Sequence, residues 1–232
     1  MSEKILIGEK VPEKCKSTLI GLGYELFVLP PFKRLFPAVT AYHPDTLIFR
    51  LSDRRFLLQK EYFEQIGNII KQAKMSCAVT DEEMSSKYPG DVLLNALNVS
   101  GTVFGLKSAV SDIIKADAKR FINVKQGYAA CSVSMLSDNA AVTSDIGLAR
   151  ALEKENIDVL LIRPGYILLD RHEYGFIGGA SGRLPDGRTA FFGKIKAHPD
   201  GELICEFAAE HRVELVELSD EPLTDVGGLI AL

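Results

Sequence analysis

Tyr128-Ala129-Ala130-Cys131-Ser132-Val133-Ser134-Met135, the turn Ser137-Asp138-Asn139, then Ala140-Ala141-Val142-Thr143, Ser144-Asp145 and the run Ile157-Asp158-Val159-Leu160-Leu161-Ile162 form the stretch on which the fold turns. Alternating side chains and a turn of Ser, Asp and Asn give two strands joined tightly. Ser144-Asp145 is a helix-opening signal, and the β-branched run closes the unit. Residues 128–162 therefore read as strand, strand, helix, strand.

The same order recurs on both sides. At 91–124, Asp91-Val92-Leu93-Leu94 and Thr102-Val103-Phe104 flank the turn Asn98-Val99-Ser100-Gly101, a helix starts near Ser108, and Phe121-Ile122-Asn123-Val124 follows. At 46–80, Leu47-Ile48-Phe49 and Phe56-Leu57-Leu58 precede a helical stripe of Tyr62, Phe63, Ile66, Ile69 and Ile70. At 175–218, Phe176-Ile177, Pro185-Asp186-Gly187, Ala190-Phe191-Phe192, a helix through Leu203, Ile204 and Phe207, and Val213-Glu214-Leu215-Val216 repeat it. What remains is a lone strand at 226–232 and a strand, helix, strand at the beginning. Residues 223–232 plus 1–30 then make a fifth unit. Five ββαβ units in a single domain spanning 1–232 describe a closed array with Leu232 beside the N-terminal strand.

Composition narrows the function classes. Lys and Arg number 27 against 31 Asp and Glu, a formal charge of −4, with 47% hydrophobic and 25% charged residues. Disorder and a nucleic-acid-coating surface do not fit, so no nucleic-acid partner is expected. Lys33-Arg34, Arg54-Arg55 and Lys119-Arg120 are short, lie among acids, and read as solvated faces. Ile5-Leu6-Ile7 is too short for a signal-peptide core and no stretch approaches a membrane span, so a soluble cytoplasmic protein without a membrane partner is expected. Cys15, Cys77, Cys131 and Cys205 show no C-x-x-C spacing, which argues against a zinc knuckle or a disulfide framework; no cofactor and no metal are expected.

The five-unit order, together with Gly90-Asp91-Val92-Leu93-Leu94 and Val103-Phe104-Gly105-Leu106-Lys107-Ser108, resembles the pentein superfamily. That is the five-bladed α/β-propeller of the guanidino-group-modifying enzymes and of the ribosome anti-association translation factor. The two segments look like the G-D-V-L and F-V-G-L-S segments of dimethylarginine dimethylaminohydrolases. Residues 174–182 are similar to an uncharacterised bacterial branch with that fold. The resemblance implies an α+β ring of five units with pseudo-fivefold symmetry around a central channel.

It also implies a chemistry: a Cys thiolate attacks a guanidinium or amidinium carbon, a His serves as acid and base, and carboxylates hold the cation. The nucleophile of those enzymes follows a Gly-Gly turn in a pattern like G-G-x-I-H-C. Here Gly227-Gly228-Leu229-Ile230-Ala231-Leu232 places Ala231 at the His and Leu232 at the Cys. Their other catalytic His should fall early in the unit near Tyr128, and residues 126–132 contain none.

Cys131 is thus the one plausible catalytic thiol, against the plainer reading of a core cysteine aligned with Ala129, Val133 and Met135. His43, beside Asp45, is a usable acid or base; His198-Pro199-Asp200 reads as a helix start, and His172 and His211 as surface residues. Asp45, Asp91, Asp138 and Asp225 lie at or near the beginnings of first strands or their turns, where several can converge as substrate-binding carboxylates or each can cap a turn. Asp91 has the matching G-D-V-L context, although Tyr88-Pro89 replaces the preceding acidic residue of that motif. Gly178-Gly179 and Gly227-Gly228 read as close backbone approaches more than as a phosphate cradle.

The expected function is a central-channel pocket for a small cationic or polar guanidino- or amidino-type metabolite. Catalysis is left open; it would be hydrolase or amidinotransferase-like action on C–N bonds by a non-standard set. The alternative is a non-catalytic binding factor resembling the ribosome anti-association factor, the one reading in which the ribosome is a partner.

Overall fold

The computed structural model describes residues 3–52 and 54–232. Its strands form three-stranded sheets, five among the described residues. The first holds β1 (Lys4–Gly8) and β2 (Glu25–Leu29); the second β3 (Phe49–Arg50), β4 (Phe56–Gln59) and β5 (Cys77–Thr80). The third holds β6 (Leu97–Val99), β7 (Thr102–Gly105) and β8 (Arg120–Asn123). The fourth holds β9 (Val133–Ser137), β10 (Ala140–Thr143) and β11 (Asp158–Leu161); the fifth β12 (Ser181–Arg183), β13 (Thr189–Phe191) and β14 (Leu215–Glu217). The last strand, β15 (Leu229–Ala231), returns to the first sheet. It pairs antiparallel with β1 in the register Ile5↔Ala231 and Ile7↔Leu229, and the Leu232 amide donates to the Lys4 carbonyl at 3.0 Å.

Each sheet combines an antiparallel and a parallel pair, and a parallel pair needs a crossover. The helices are α1 (Glu13–Gly21), α2 (Pro44–Leu47), α3 (Lys60–Gln65), α4 (Gly67–Ala73), α5 (Asp112–Asp117), α6 (Ala129–Ser132), α7 (Ile146–Glu153) and α8 (Gly201–Glu210). All but α2 and α6 lie in the crossovers. Their starts follow from sequence: Asp145 caps α7 by accepting from the Leu148 amide, and Ser111 caps α5 by accepting from Ile113. Leu148, Ala149 and Leu152 form the buried face of α7, and Leu148 and Leu152 pack with Ala141 and Phe104. Cys15 and Leu19 of α1 pack with Ile5, Ile7 and Phe192. Burying a Leu or Ile in this way stabilises by about 1.5–3 kcal/mol. No helix among the described residues is long and apolar enough to cross a membrane.

The structure corrects the reading of the segments ahead of each hairpin. Tyr128–Met135 is not one strand: residues 129–132 make the single turn α6, and β9 begins at Val133. Residues 91–94 and 176–177 are turn and irregular backbone, not strand, with β6 beginning at Leu97 and β12 at Ser181; α2 occupies Pro44–Leu47 ahead of the short β3. Apolar runs of four residues do not distinguish a strand from one buried helical turn. Pro44 at the first helical position and the small residues Ala129-Ala130-Cys131-Ser132 favour the turn. The alternation that aligned Cys131 with Ala129, Val133 and Met135 is lost accordingly.

Candidate functional site

These curled segments meet, and they carry the polar residues. His43 ends a 3-10 turn at Val39–Tyr42 and precedes α2. The Thr46 hydroxyl fixes that corner by donating to the carbonyls of Thr40 (2.7 Å) and His43 (2.8 Å). One His43 ring nitrogen, one Asp45 carboxylate oxygen and Cys131 Sγ all lie within 4.8 Å of one another. Asp225 joins them, with Oδ1 3.6 Å from His43 Nδ1. Its carboxylate is held by the amides of Phe176 (2.9 Å, to Oδ2) and Gly227 (3.1 Å, to Oδ1).

The backbone binds these residues in a circuit. Gly179 N donates to Cys131 O at 3.0 Å; Val226 N and Gly228 N donate to Gly179 O at 3.0 and 2.8 Å. Asp45 N donates to Gly227 O at 3.2 Å. Asn95 completes the path through its side chain: Nδ2 donates to Asp45 O at 3.0 Å, and Oδ1 accepts from Ala130 N at 2.9 Å. Asn95 is fully buried, and Nδ2 also donates to Cys131 Sγ at 3.0 Å. The glycine pairs are required by closeness. A Cβ on Gly179 would lie 1.9 Å from Asp225 Oδ1, and one on Gly227, at φ +78°, would lie 2.3 Å from His43 Cα.

The site is electrostatically unbalanced. Both Asp45 carboxylate oxygens are closed off from solvent with no hydrogen-bond partner among the described residues. Burial, with the Asp225 charge, raises the Asp45 pKa to about 6, while His43 pulls it the other way. Burial, and then the charges of Asp45 and Asp225, push the Cys131 thiol well above its ordinary value, against the Asn95 donor. At neutral pH Cys131 is a protonated thiol, not a ready nucleophile.

Two hollows flank this layer. One, of about 280 Å³, is lined by Thr40, His43, Tyr128, Cys131, Phe176 and Asp225, with Glu173 and Tyr174 also on its wall. The other, of about 520 Å³, is lined by Asp45, Ala130, Gly178, Gly227, Gly228 and Leu229 among others. Asp91 sits behind the first: Tyr128 Oη donates to its Oδ2 at 2.7 Å, while its buried Oδ1 has no partner among the described residues. This contact, after burial, pushes the Tyr128 phenol above its usual range.

The structure thus brings together Cys131, His43, Asp45 and Asp225, and sets Asp91 one residue behind. It does not bring Asp138 there. Asp138 is at the β9–β10 turn, 73% exposed, and pairs with Arg183 at 2.5 Å. Sequence reasoning missed Asn95, Thr40 and Tyr128. Asn95 alone had a signal, as the one polar residue within Val92-Leu93-Leu94-Asn95-Ala96-Leu97.

Residues 6–230 match a model described as a family of unknown function (DUF6873). The chain belongs to that family. No curated protein matches this DUF6873 chain in sequence. Among solved structures, it is similar to DDAH from Pseudomonas aeruginosa, a cysteine-to-serine mutant complexed with citrulline (TM-score 0.62, 10% identity, covering 100% of each chain). It is also similar to SxtG, an amidinotransferase from Microseira wollei in the saxitoxin biosynthetic pathway (TM-score 0.58, 9% identity, covering 99% of this chain and 94% of that one). A third is the C. jejuni agmatine deiminase (TM-score 0.51, 9% identity, covering 92% and 74%). These likenesses show the pentein fold, an α/β propeller-like arrangement; at such identities they carry the fold and nothing finer.

Proposed function

We propose that this protein binds a small cationic metabolite bearing a guanidino or amidino group in the 280 Å³ hollow. The observation that carries this reading is the composition of that wall. Asp225 and Glu173 line it together with the aromatic residues Tyr128, Tyr174 and Phe176, and the buried hydroxyl of Thr40 has no partner among the described residues. A planar delocalised cation matches both features, since it donates in pairs to carboxylates and stacks on aromatic rings. The neighbouring structures are named for citrulline, amidino transfer and agmatine, which agrees with that ligand class.

Closure of the five sheets into a ring around this hollow belongs to the same reading. It is supported by the β1–β15 pairing and by the hydrogen-bonded circuit that passes through every unit. Binding, not thiolate attack, is the function proposed. Ala231 and Leu232 offer no catalytic group, and the Cys131 thiol is held protonated by burial beside two carboxylates.

A thermal-shift screen of arginine, agmatine, methylated arginines and simple amidines tests it. A ligand at one hundred times its Kd stabilises by about 2.7 kcal/mol, a rise in Tm of roughly 5 °C or more for a chain of this size. A flat response to the whole panel removes the proposal.

A further inference from the structure

We infer that His43, Asp45 and Cys131 form a site for one divalent transition metal ion, with zinc as the fitting ion, at the centre of the molecule. His43 and Asp45 come from the one corner that opens α2 and Cys131 from another unit, so no linear spacing announces the three together. Their ligand atoms lie within 4.8 Å of one another. Neighbouring ligands of a tetrahedral zinc ion sit about 3.5 Å apart, so a closure of about 1 Å by side-chain rotation seats the ion. One thiolate, one imidazole and one carboxylate make a mixed sulfur, nitrogen and oxygen set that suits zinc, not the hard cations magnesium and calcium.

The second observation is independent of this proximity. Both oxygens of Asp45 are buried, and among the described residues no N–H or O–H donor reaches them, the Cys131 thiol being the one weak donor that acts on the carboxylate. A carboxylate so placed costs several kcal/mol unless it is paired or bound to a metal. Asn95 Nδ2 donates to Cys131 Sγ at 3.0 Å, the support a metal-bound thiolate receives from an outer partner. Asp225 is already satisfied by two amides, and so it orients His43 across 3.6 Å without being a ligand. Three protein ligands leave one position open, and His43 and Cys131 both line the 280 Å³ hollow. Binding displaces the thiol proton to solvent and leaves a Cys131 thiolate on the ion. A dication against Asp45, Asp225 and that thiolate still leaves the cluster net negative, which keeps it compatible with a cationic ligand.

Chelator-stripped protein titrated with Co²⁺ provides the test. One equivalent should produce a thiolate-to-cobalt charge-transfer band with the visible bands of a four-coordinate ion, and Zn²⁺ should bleach both. A variant carrying Cys15→Ala, Cys77→Ala and Cys205→Ala should keep the band, and Cys131→Ser should lose it. Asp45→Asn, which preserves shape and all four thiols, should weaken Co²⁺ binding about tenfold or more and serves where a cysteine variant fails to fold. No charge-transfer band in the wild-type protein, a band that survives Cys131→Ser, or an unchanged affinity in Asp45→Asn overturns the site. Failure of the guanidino screen leaves these readouts untouched, because none of them involves an organic ligand.

Discussion

Asp45 shows how one residue can be readable in kind and unreadable in consequence. Its position beside His43 marks it as a candidate from sequence; that no N–H or O–H donor among the described residues reaches its oxygens is visible only in the fold. In the metal-free protein its pKa of about 6 lies above the ordinary carboxylate value near 4. The folded state then holds the proton more tightly than the unfolded chain. The stability contributed by Asp45 is fully present below about pH 4, is lost as pH rises through about 6, and stays absent above, a change on the order of 3 kcal/mol. Asp45→Asn should therefore raise the urea midpoint of chelated protein at pH 8 and change it little at pH 4. An equal effect at both values would contradict the buried, unpaired carboxylate. Asp138 teaches the reverse lesson. Its turn is legible in the sequence, but the two ends of a five-residue hairpin strand stand about 13 Å apart, and Asp138 is at the end away from the His43 cluster, paired with Arg183.

At the scale of elements, strand order and helix starts are written in the local sequence, while the one-turn segments that precede the first strands are not. Their curl depends on neighbours. A Cβ on Gly178 would lie 2.3 Å from the Ala130 carbonyl and 2.6 Å from that of Cys131, so α6 exists in part because Gly178 lets another unit's backbone press against it. Two glycine substitutions separate this role from ordinary helix propensity. Gly227→Ala forces a side chain into the left-handed region and against His43, and should cost about 2 kcal/mol or more. Gly21→Ala, at the end of α1 with open space around it, should stabilise by about 0.5–1 kcal/mol. Equilibrium unfolding in urea reads both, and a neutral Gly227→Ala would contradict the packing described.

For the whole molecule, repetition of element order made the architecture legible even though the repeats share few letters. The inner circuit that joins one unit to the next is not legible in the sequence, because its links are mostly backbone to backbone and carry no residue signature. Asn95 is the exception, lending its side chain where the circuit has no backbone link. Asn95→Ala strands the Ala130 amide and the Asp45 carbonyl and should cost about 2–4 kcal/mol, read as a lower urea midpoint with retained cooperativity. A change below about 0.5 kcal/mol would show that the circuit does not hold the units together.

The hollow bounded by His43, Tyr128, Cys131 and Asp225 is the site proposed to receive a guanidino or amidino cation. Calorimetric titration of the panel member giving the largest thermal shift tests this most directly, using wild-type protein, Glu173→Gln on the hollow's exposed wall and Asp225→Asn at its buried end. One-to-one binding in the wild type, weakened about tenfold or more in Asp225→Asn and less in Glu173→Gln, is the predicted result; equal affinity in all three proteins, or no heat of binding in any, would contradict it.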